Sequence, residues 1–201
     1  MKTKWILIIA AAVVVGAFIY TQSPAAPAKP EPKARIGEPA PDFSLKDTFG
    51  KQFTLSEFKG KIVVLEWINQ QCPISKGTHT KQLMQKTYKK YAEKGVVWLA
   101  IDTSHYAKPD KNRVYAAKQG LAYPILHDPN GKVGHDYGAR TTPHMYVIDK
   151  TGKLLYNGAI DDKGKTNYVA AALDEVLAGK AVSKPKTDPY GCSVKYATAK
   201  K

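Results

Sequence analysis

Cysteine is nearly missing from this chain: Cys72 and Cys192 are the only two in 201 residues. At most one intramolecular bridge can form, which excludes a small scaffold held by a disulfide framework, so the fold must stand on its hydrophobic core. Acidic residues are scarce as well, 17 Asp and Glu against 31 Lys and Arg, for a net charge of +14. The lysines are spread along the chain, and no dense arginine cluster is interleaved with aromatics. That pattern points to a solvated basic surface with some attraction to anionic lipid, and not to a nucleic-acid partner. The histidines, at positions 79, 105, 127, 135 and 144, show no ligand spacing such as H-x-x-x-H, and no metal or other cofactor is expected. No segment repeats.

Long apolar runs are limited to one. Residues 5–20 carry no charge and follow Lys2 and Lys4, and residues 21–33, T-Q-S-P-A-A-P-A-K-P-E-P-K, are rich in proline and alanine. A basic start, an apolar run and then small residues form an export signal, cleaved or kept as a membrane anchor. The chain therefore divides into residues 1–22 as signal peptide or anchor, 23–34 as a Pro/Ala-rich linker, 35–180 as the folded domain and 181–201 as a basic tail carrying Cys192. The domain is expected to be exported to the cell-envelope or periplasmic side, held to the membrane through its N-terminal segment or released from it.

What is present is organised around residues 61–76, K-I-V-V-L-E-W-I-N-Q-Q-C-P-I-S-K. The first half is apolar and β-branched, as in a strand buried on both faces. The second half turns polar, reaches Cys72 and is followed at once by Pro73, a residue suited to a first helical turn. Beyond it Leu83, Thr87 and Tyr91 recur at helical spacing, with Met84 and Tyr88 beside them. The run predicts strand, tight loop and helix, with Cys72 at the helix N-terminus, where free N–H groups and the helix dipole favour a thiolate. An accessible, ionised sulfur is expected, with the Ser75 hydroxyl one turn away able to donate to it.

Around this run, residues 43–55 alternate as a short hairpin and 56–58 make a helical turn. Residues 95–102 read as a second buried strand, 113–119 as a helix, 123–128 as a brief strand and 133–137 as a helical turn. Residues 145–149 and 154–160 are strands, the latter an edge, and 168–177 form an amphipathic helix. Such alternation points to an α/β layer architecture.

The pattern G-x-x-A-P-D-F-x-L-x-D-x-x-G-K-x-x-x-L-x-x-F-K-G-K, from Gly37 to Lys61, followed by the strand and Cys72-Pro73, resembles the redoxin family. This is the alkyl hydroperoxide reductase and thiol-specific antioxidant branch of the thioredoxin fold, and the likeness runs from about residue 36 to 177. It implies a thioredoxin-like α/β fold, a central mixed sheet flanked by helices, with Cys72 opening the first long helix. It also implies a cis Thr142–Pro143 peptide against the cysteine, whose backbone an extended substrate can pair with.

The resemblance frames the chemistry. An exported thiol oxidoreductase of peroxiredoxin-like character is implied, in which Cys72 attacks a protein disulfide or a hydroperoxide. The product resolves onto Cys192, and an external thiol or dithiol donor restores the dithiol. Where a C-x-x-C enzyme has its second cysteine this chain has Ser75, so Cys192 is the sole candidate resolving thiol within the molecule. It can equally form an inert structural bridge, leaving a non-enzymatic binding module, or remain free. Glu66 matches the buried acid of thioredoxins and shares a strand face with Val64 and Ile68. It is the candidate proton acceptor, unless it reaches the surface or pairs with a lysine. Peroxiredoxins carry P-x-x-x-T-x-x-C, whereas here Asn69 replaces the threonine and their arginine falls at Pro143, with Arg140 close in sequence. Asn69, Ser75, Thr142 and Pro143 are the candidate substrate-binding positions.

Overall fold

The computed structural model describes residues 31–197. The expected N-terminal signal or anchor lies outside them, and among the described residues no helix is long and apolar enough to cross a membrane. The first strands of the described residues form a hairpin, β1 (Ser44–Asp47) and β2 (Gln52–Thr54). Its turn is closed by the Asp47 carboxylate, which accepts from the N–H groups of Phe49 and Lys51 at 2.8 and 2.9 Å. A 3-10 turn, Leu55–Phe58, follows behind a capping box of Thr54 and Glu57. The central strand β3 (Val63–Trp67) is buried at all five residues, as its unbroken apolar run requires.

Beyond Cys72 come α1 (Pro73–Thr80), α2 (Leu83–Ala92), β4 (Val97–Asp102) and α3 (Pro109–Gln119). Then follow β5 (Ile125–His127), α4 (Lys132–Tyr137), β6 (Thr141–Thr142), β7 (His144–Ile148) and β8 (Leu154–Gly158). The helix α5 (Tyr168–Leu177) and the short strand β9 (Cys192–Ser193) are the last elements of the described residues. Seven strands form one mixed sheet in the order β2-β1-β5-β4-β3-β7-β8, with β3, β4 and β5 parallel and the remaining pairs antiparallel.

Strand periodicity sorts β3 between two cores. Val64 packs with Met84 and Tyr91 of α2, Tyr115 of α3 and Leu173 of α5. Val63, Leu65 and Trp67 face the other way, toward Phe43, Tyr137, Tyr146 and Leu154. There Trp67 lies 5.0 Å from the Tyr146 ring and 5.4 Å from that of Tyr137, and its indole N–H is satisfied by Thr103 at 3.0 Å. Glu66 points into the first core beside Val64, so a carboxylate is committed to an apolar layer.

Three departures from the sequence reading have physical reasons. The helix after Cys72 is not one long helix: α1 closes at Thr80, Gln82 takes a left-handed φ of 61°, and α2 starts afresh. The carbonyl of His79, freed by the break, accepts from the side-chain amides of Gln82 and Gln85 at 3.3 and 3.0 Å. The helix α3 starts four residues earlier than expected because Pro109 occupies its first turn. Residues 181–201 read as a basic tail outside the domain, yet the described part is docked on it. Thr187 hydrogen-bonds Tyr156 and Ala159, Lys186 bridges Asn157 on the edge strand β8, and β9 pairs with β6.

One buried base gives this fold an acid limit. His144 donates from Nε2 to Asn157 Oδ1 at 2.7 Å and accepts at Nδ1 from the Arg140 N–H at 3.2 Å, an arrangement only the neutral ring satisfies. Burial, reinforced by the charge of Arg140, pushes its pKa down from 6.5 to about 4, against the pull of Asn157. The unfolded chain therefore takes up a proton first, and stability is lost as pH falls from 6.5 toward 4, by roughly 3 kcal/mol. Urea unfolding at pH 7.5 and 4.5 is expected to show that loss in the wild type and a clearly smaller one in His144→Gln. Equal losses in the two proteins would remove His144 as the cause.

Candidate functional site

Cys72 sits where β3 hands over to α1. It is the N-cap residue, with extended backbone, and its sulfur accepts the Ser75 N–H at 3.5 Å. The Ser75 hydroxyl does not serve the sulfur as expected; it lies 3.4 Å from the Asn69 N–H and accepts from it. The Thr142–Pro143 peptide is cis, and the Thr142 carbonyl accepts from the Cys72 thiol at 3.1 Å. On the same Thr142, the chain's own C-terminal segment takes the place expected for a substrate strand: β9 pairs with β6 in the register Thr141↔Ser193 and Thr142↔Cys192. Cys192 thereby arrives over Cys72, its N–H 3.4 Å from the Cys72 sulfur, and both thiols are free.

The expected accessible sulfur is thus covered. Cys72 is 2% exposed, whereas Cys192 is half-buried. The cover is a strap bearing the second thiol and not the packed core, so burial here is no mark of an inert cysteine. Burial opposes ionisation of Cys72, but hydrogen bonds from the Cys192 thiol, the Ser75 N–H, the Thr142 side chain and the Cys192 N–H outweigh it and hold the thiol below its ordinary range. Cys192 moves the opposite way, raised first by its bond to Cys72, then by burial and by the Cys72 charge. Two thiols separated in this sense are suited to exchange with each other.

The strap depends on Gly191, whose φ is +139° and whose missing Cβ would collide with the Thr142 carbonyl. Gly191→Ala imposes strain of about 1–3 kcal/mol, so the open strap is expected to be populated about fivefold or more above wild type. Iodoacetamide labelling of Cys72 reads this directly; an unchanged rate would mean that the strap is not its shield.

Beneath the first turn of α1 Glu66 meets His79, a partner that sequence reasoning missed. Glu66 accepts from Trp98 Nε1 at 2.9 Å and from the Tyr123 hydroxyl at 3.1 Å, and its other oxygen stands 2.8 Å from His79 Nε2. That last contact lies off the ideal hydrogen-bond line and is best described as an ion pair. His79 Nδ1 faces the Ser75 carbonyl at 2.8 Å and the Tyr115 hydroxyl at 2.9 Å. A carbonyl only accepts, so Nδ1 carries a hydrogen, and the Glu66 carboxylate beside Nε2 favours a second one there. Burial works against that charge; the Glu66 carboxylate, assisted by the Ser75 carbonyl, overcomes it and raises the His79 pKa. Glu66 therefore does not touch Cys72. It anchors the helix turn whose Ser75 N–H does.

Only one sequence signal for this pair existed. Ser75 and His79 stand four residues apart on the helix face that meets the Glu66 face of β3, while Trp98, Tyr115 and Tyr123 arrive from elements whose packing no local pattern gives. Asn69 is committed locally: its Nδ2 donates to the Tyr106 hydroxyl at 2.8 Å and its Oδ1 accepts from Gln71 at 2.7 Å. Arg140 is directed at Asp188, 3.5 Å away at the surface. Among the described residues no group of three or more His, Cys, Asp or Glu is placed to hold a metal.

Fold and site together define a thiol-dependent oxidoreductase of the thioredoxin class. Over residues 36–157 the sequence matches the AhpC/TSA family, and the chain belongs to it. Among its relatives is the thiol-disulfide oxidoreductase ResA of Bacillus thuringiensis subsp. konkukian, 35% identical over 126 residues that span 62% of this chain and 70% of that protein. The thioredoxin-like protein YneN of Bacillus subtilis is 33% identical over 127 residues, 63% of this chain and 72% of its own. Among solved structures, the hypothetical protein SMc02350 of Sinorhizobium meliloti 1021 superposes with a TM-score of 0.75 at 29% identity, over 82% of this chain and 96% of that one.

Proposed function

We propose that this protein is an exported thiol–disulfide oxidoreductase acting on protein disulfides or dithiols. Its Cys72–Cys192 pair cycles between dithiol and disulfide, with Cys72 as the nucleophile and Cys192 as the thiol it exchanges with. The observation that carries this reading is the register of β9 on β6, which sets the Cys192 N–H and thiol against the Cys72 sulfur. A thiolate held by backbone N–H groups beside a second thiol has what exchange requires: a nucleophile, a partner and a stabilised leaving group. The ResA relative, named for the same chemistry, supports it.

Hydroperoxide reduction fits the site less well. Polarising an O–O bond needs free donors at the sulfur. Asn69 is tied to Tyr106 and Gln71, and Arg140 is turned to Asp188. A macromolecular substrate is favoured by an open groove of about 660 Å³ beside the site, lined by Pro73, Ile74, Leu83 and Tyr190 and rimmed by Lys81, Lys86 and Lys163. Export rests on residues 1–22 and suits a dithiol couple, since disulfide chemistry belongs to oxidising compartments. An external thiol or dithiol supplies the electrons. The reduced protein, offered a disulfide-bonded protein or hydrogen peroxide at equal concentration, is expected to lose its thiols faster to the disulfide. Faster loss to peroxide would reverse the assignment.

A further inference from the structure

We propose that the external partner meets Cys192 and not Cys72: the bridge between them is opened by attack on the Cys192 sulfur, with the Cys72 sulfur leaving into the interior. This rests on the reading of the two cysteines as a redox couple, and it reverses the expectation that Cys72 is the thiol that meets the substrate.

Three observations carry it. Cys72 is 2% exposed, its sulfur surrounded by the Ser75 N–H, the Thr142 carbonyl and the Cys192 N–H, while Cys192 is half-buried and lies on the solvent side. Displacement at sulfur runs along the S–S axis, with the incoming sulfur opposite the departing one. An incoming thiolate meets Cys192, which is half-buried, before it meets Cys72, which is 2% exposed.

The strap is also tied on both sides of Cys192, so its closed position over Cys72 is the favoured one. Before it, the Tyr190 hydroxyl donates to Asp161. After it, the Val194 N–H donates to the Arg140 carbonyl at 3.0 Å and the Lys195 carbonyl accepts from His105 at 2.9 Å. The Tyr196 hydroxyl donates to the Ala139 carbonyl at 2.7 Å, and its ring stacks on His135 at 4.0 Å.

Finally, the departing sulfur has its receptors in place. The N–H groups of Ser75 and Cys192 already point at it, so the thiolate forms against fixed donors.

The electron count closes. A thiolate RS⁻ bonds to the Cys192 sulfur, the Cys192–Cys72 bond breaks, and its electron pair leaves on Cys72. A second thiolate attacks the sulfur of R, releasing RSSR and the Cys192 thiolate, which takes a proton from water. Two thiols have been oxidised to one disulfide and the enzyme bridge reduced to a dithiol. In the opposite direction Cys192 carries the mixed disulfide with the substrate, and Cys72 attacks Cys192 to release the reduced substrate.

The test uses the full chain, oxidised and then mixed with glutathione as a monothiol probe, acid-quenched at early times and mapped by peptide mass. Glutathione is expected on the Cys192 peptide, about tenfold or more over the Cys72 peptide. In parallel, oxidised glutathione is expected to modify Cys72→Ser at Cys192 about tenfold faster than it modifies Cys192→Ser at Cys72. An adduct mainly on Cys72 in the wild type would overturn the assignment while leaving the couple intact. A chain that forms no bridge on oxidation would remove both.

Discussion

Cys72→Ser is expected to lose dithiol–disulfide exchange by at least about a thousandfold, because no other group on the chain can take the place of the sulfur it removes. The substitution is a fair test of chemistry because it spares the fold. Serine is a favoured N-cap residue, and its hydroxyl can accept the Ser75 N–H now received by the Cys72 sulfur. Cys192 remains in the variant and is expected to stall as a mixed disulfide with the substrate, since the thiol that would resolve it is gone. Turnover measured with a disulfide-bonded protein and a dithiol donor decides the matter. Normal turnover would show that Cys72 is a packing residue and that the site lies elsewhere.

His79→Leu is expected to cost about 3–5 kcal/mol of stability, because it strands the Glu66 carboxylate, 0% exposed, without its counter-charge. The double variant Glu66→Leu with His79→Leu is expected to recover a good part of that loss, since replacing both members of a buried pair is far less costly than removing one. The pH dependence has a definite sign. The His79 pKa is raised above its unfolded value of 6.5, so its contribution is fully present below 6.5 and is lost as pH rises through the higher folded value. Wild-type stability should therefore decline on the alkaline side of 6.5, and His79→Leu should lack that decline. Urea unfolding at pH 6 and pH 8.5 measures both effects; parallel pH profiles would mean that the ring is neutral in the native state.

The sequence made the scaffold legible because its signals were local. The β-branched run of β3, Pro73 after Cys72, and the amphipathic period of residues 168–177 each dictate an element from within. The cis Thr142–Pro143 peptide came only through family likeness, since nothing in the residues themselves requires it. Other features were not legible because their causes lie far away in the chain. The break at Gln82 is held by the Gln119 carbonyl as well as that of His79. The docking of residues 190–196 depends on Asp161, Arg140, Ala139 and His135, whose meeting is a property of the assembled fold. The count of cysteines leaves Cys192 as the one possible partner of Cys72 within the chain, but the strap that brings it there is made by the pairing of β9 with β6, far apart in sequence. Strand alternation puts Glu66 on the same face of β3 as Val64, where it is buried, whereas metal-ligand spacing is the wrong signal for His79, whose partner is that carboxylate.

Thiol trapping across a series of defined redox potentials tests the couple most directly. The free thiols of Cys72 and Cys192, counted by mass, should disappear together in one two-electron transition, with a midpoint above about −300 mV. A bridge that resists reduction below about −300 mV would make the pair a structural staple, and two thiols that stay free at every potential would leave no couple at all.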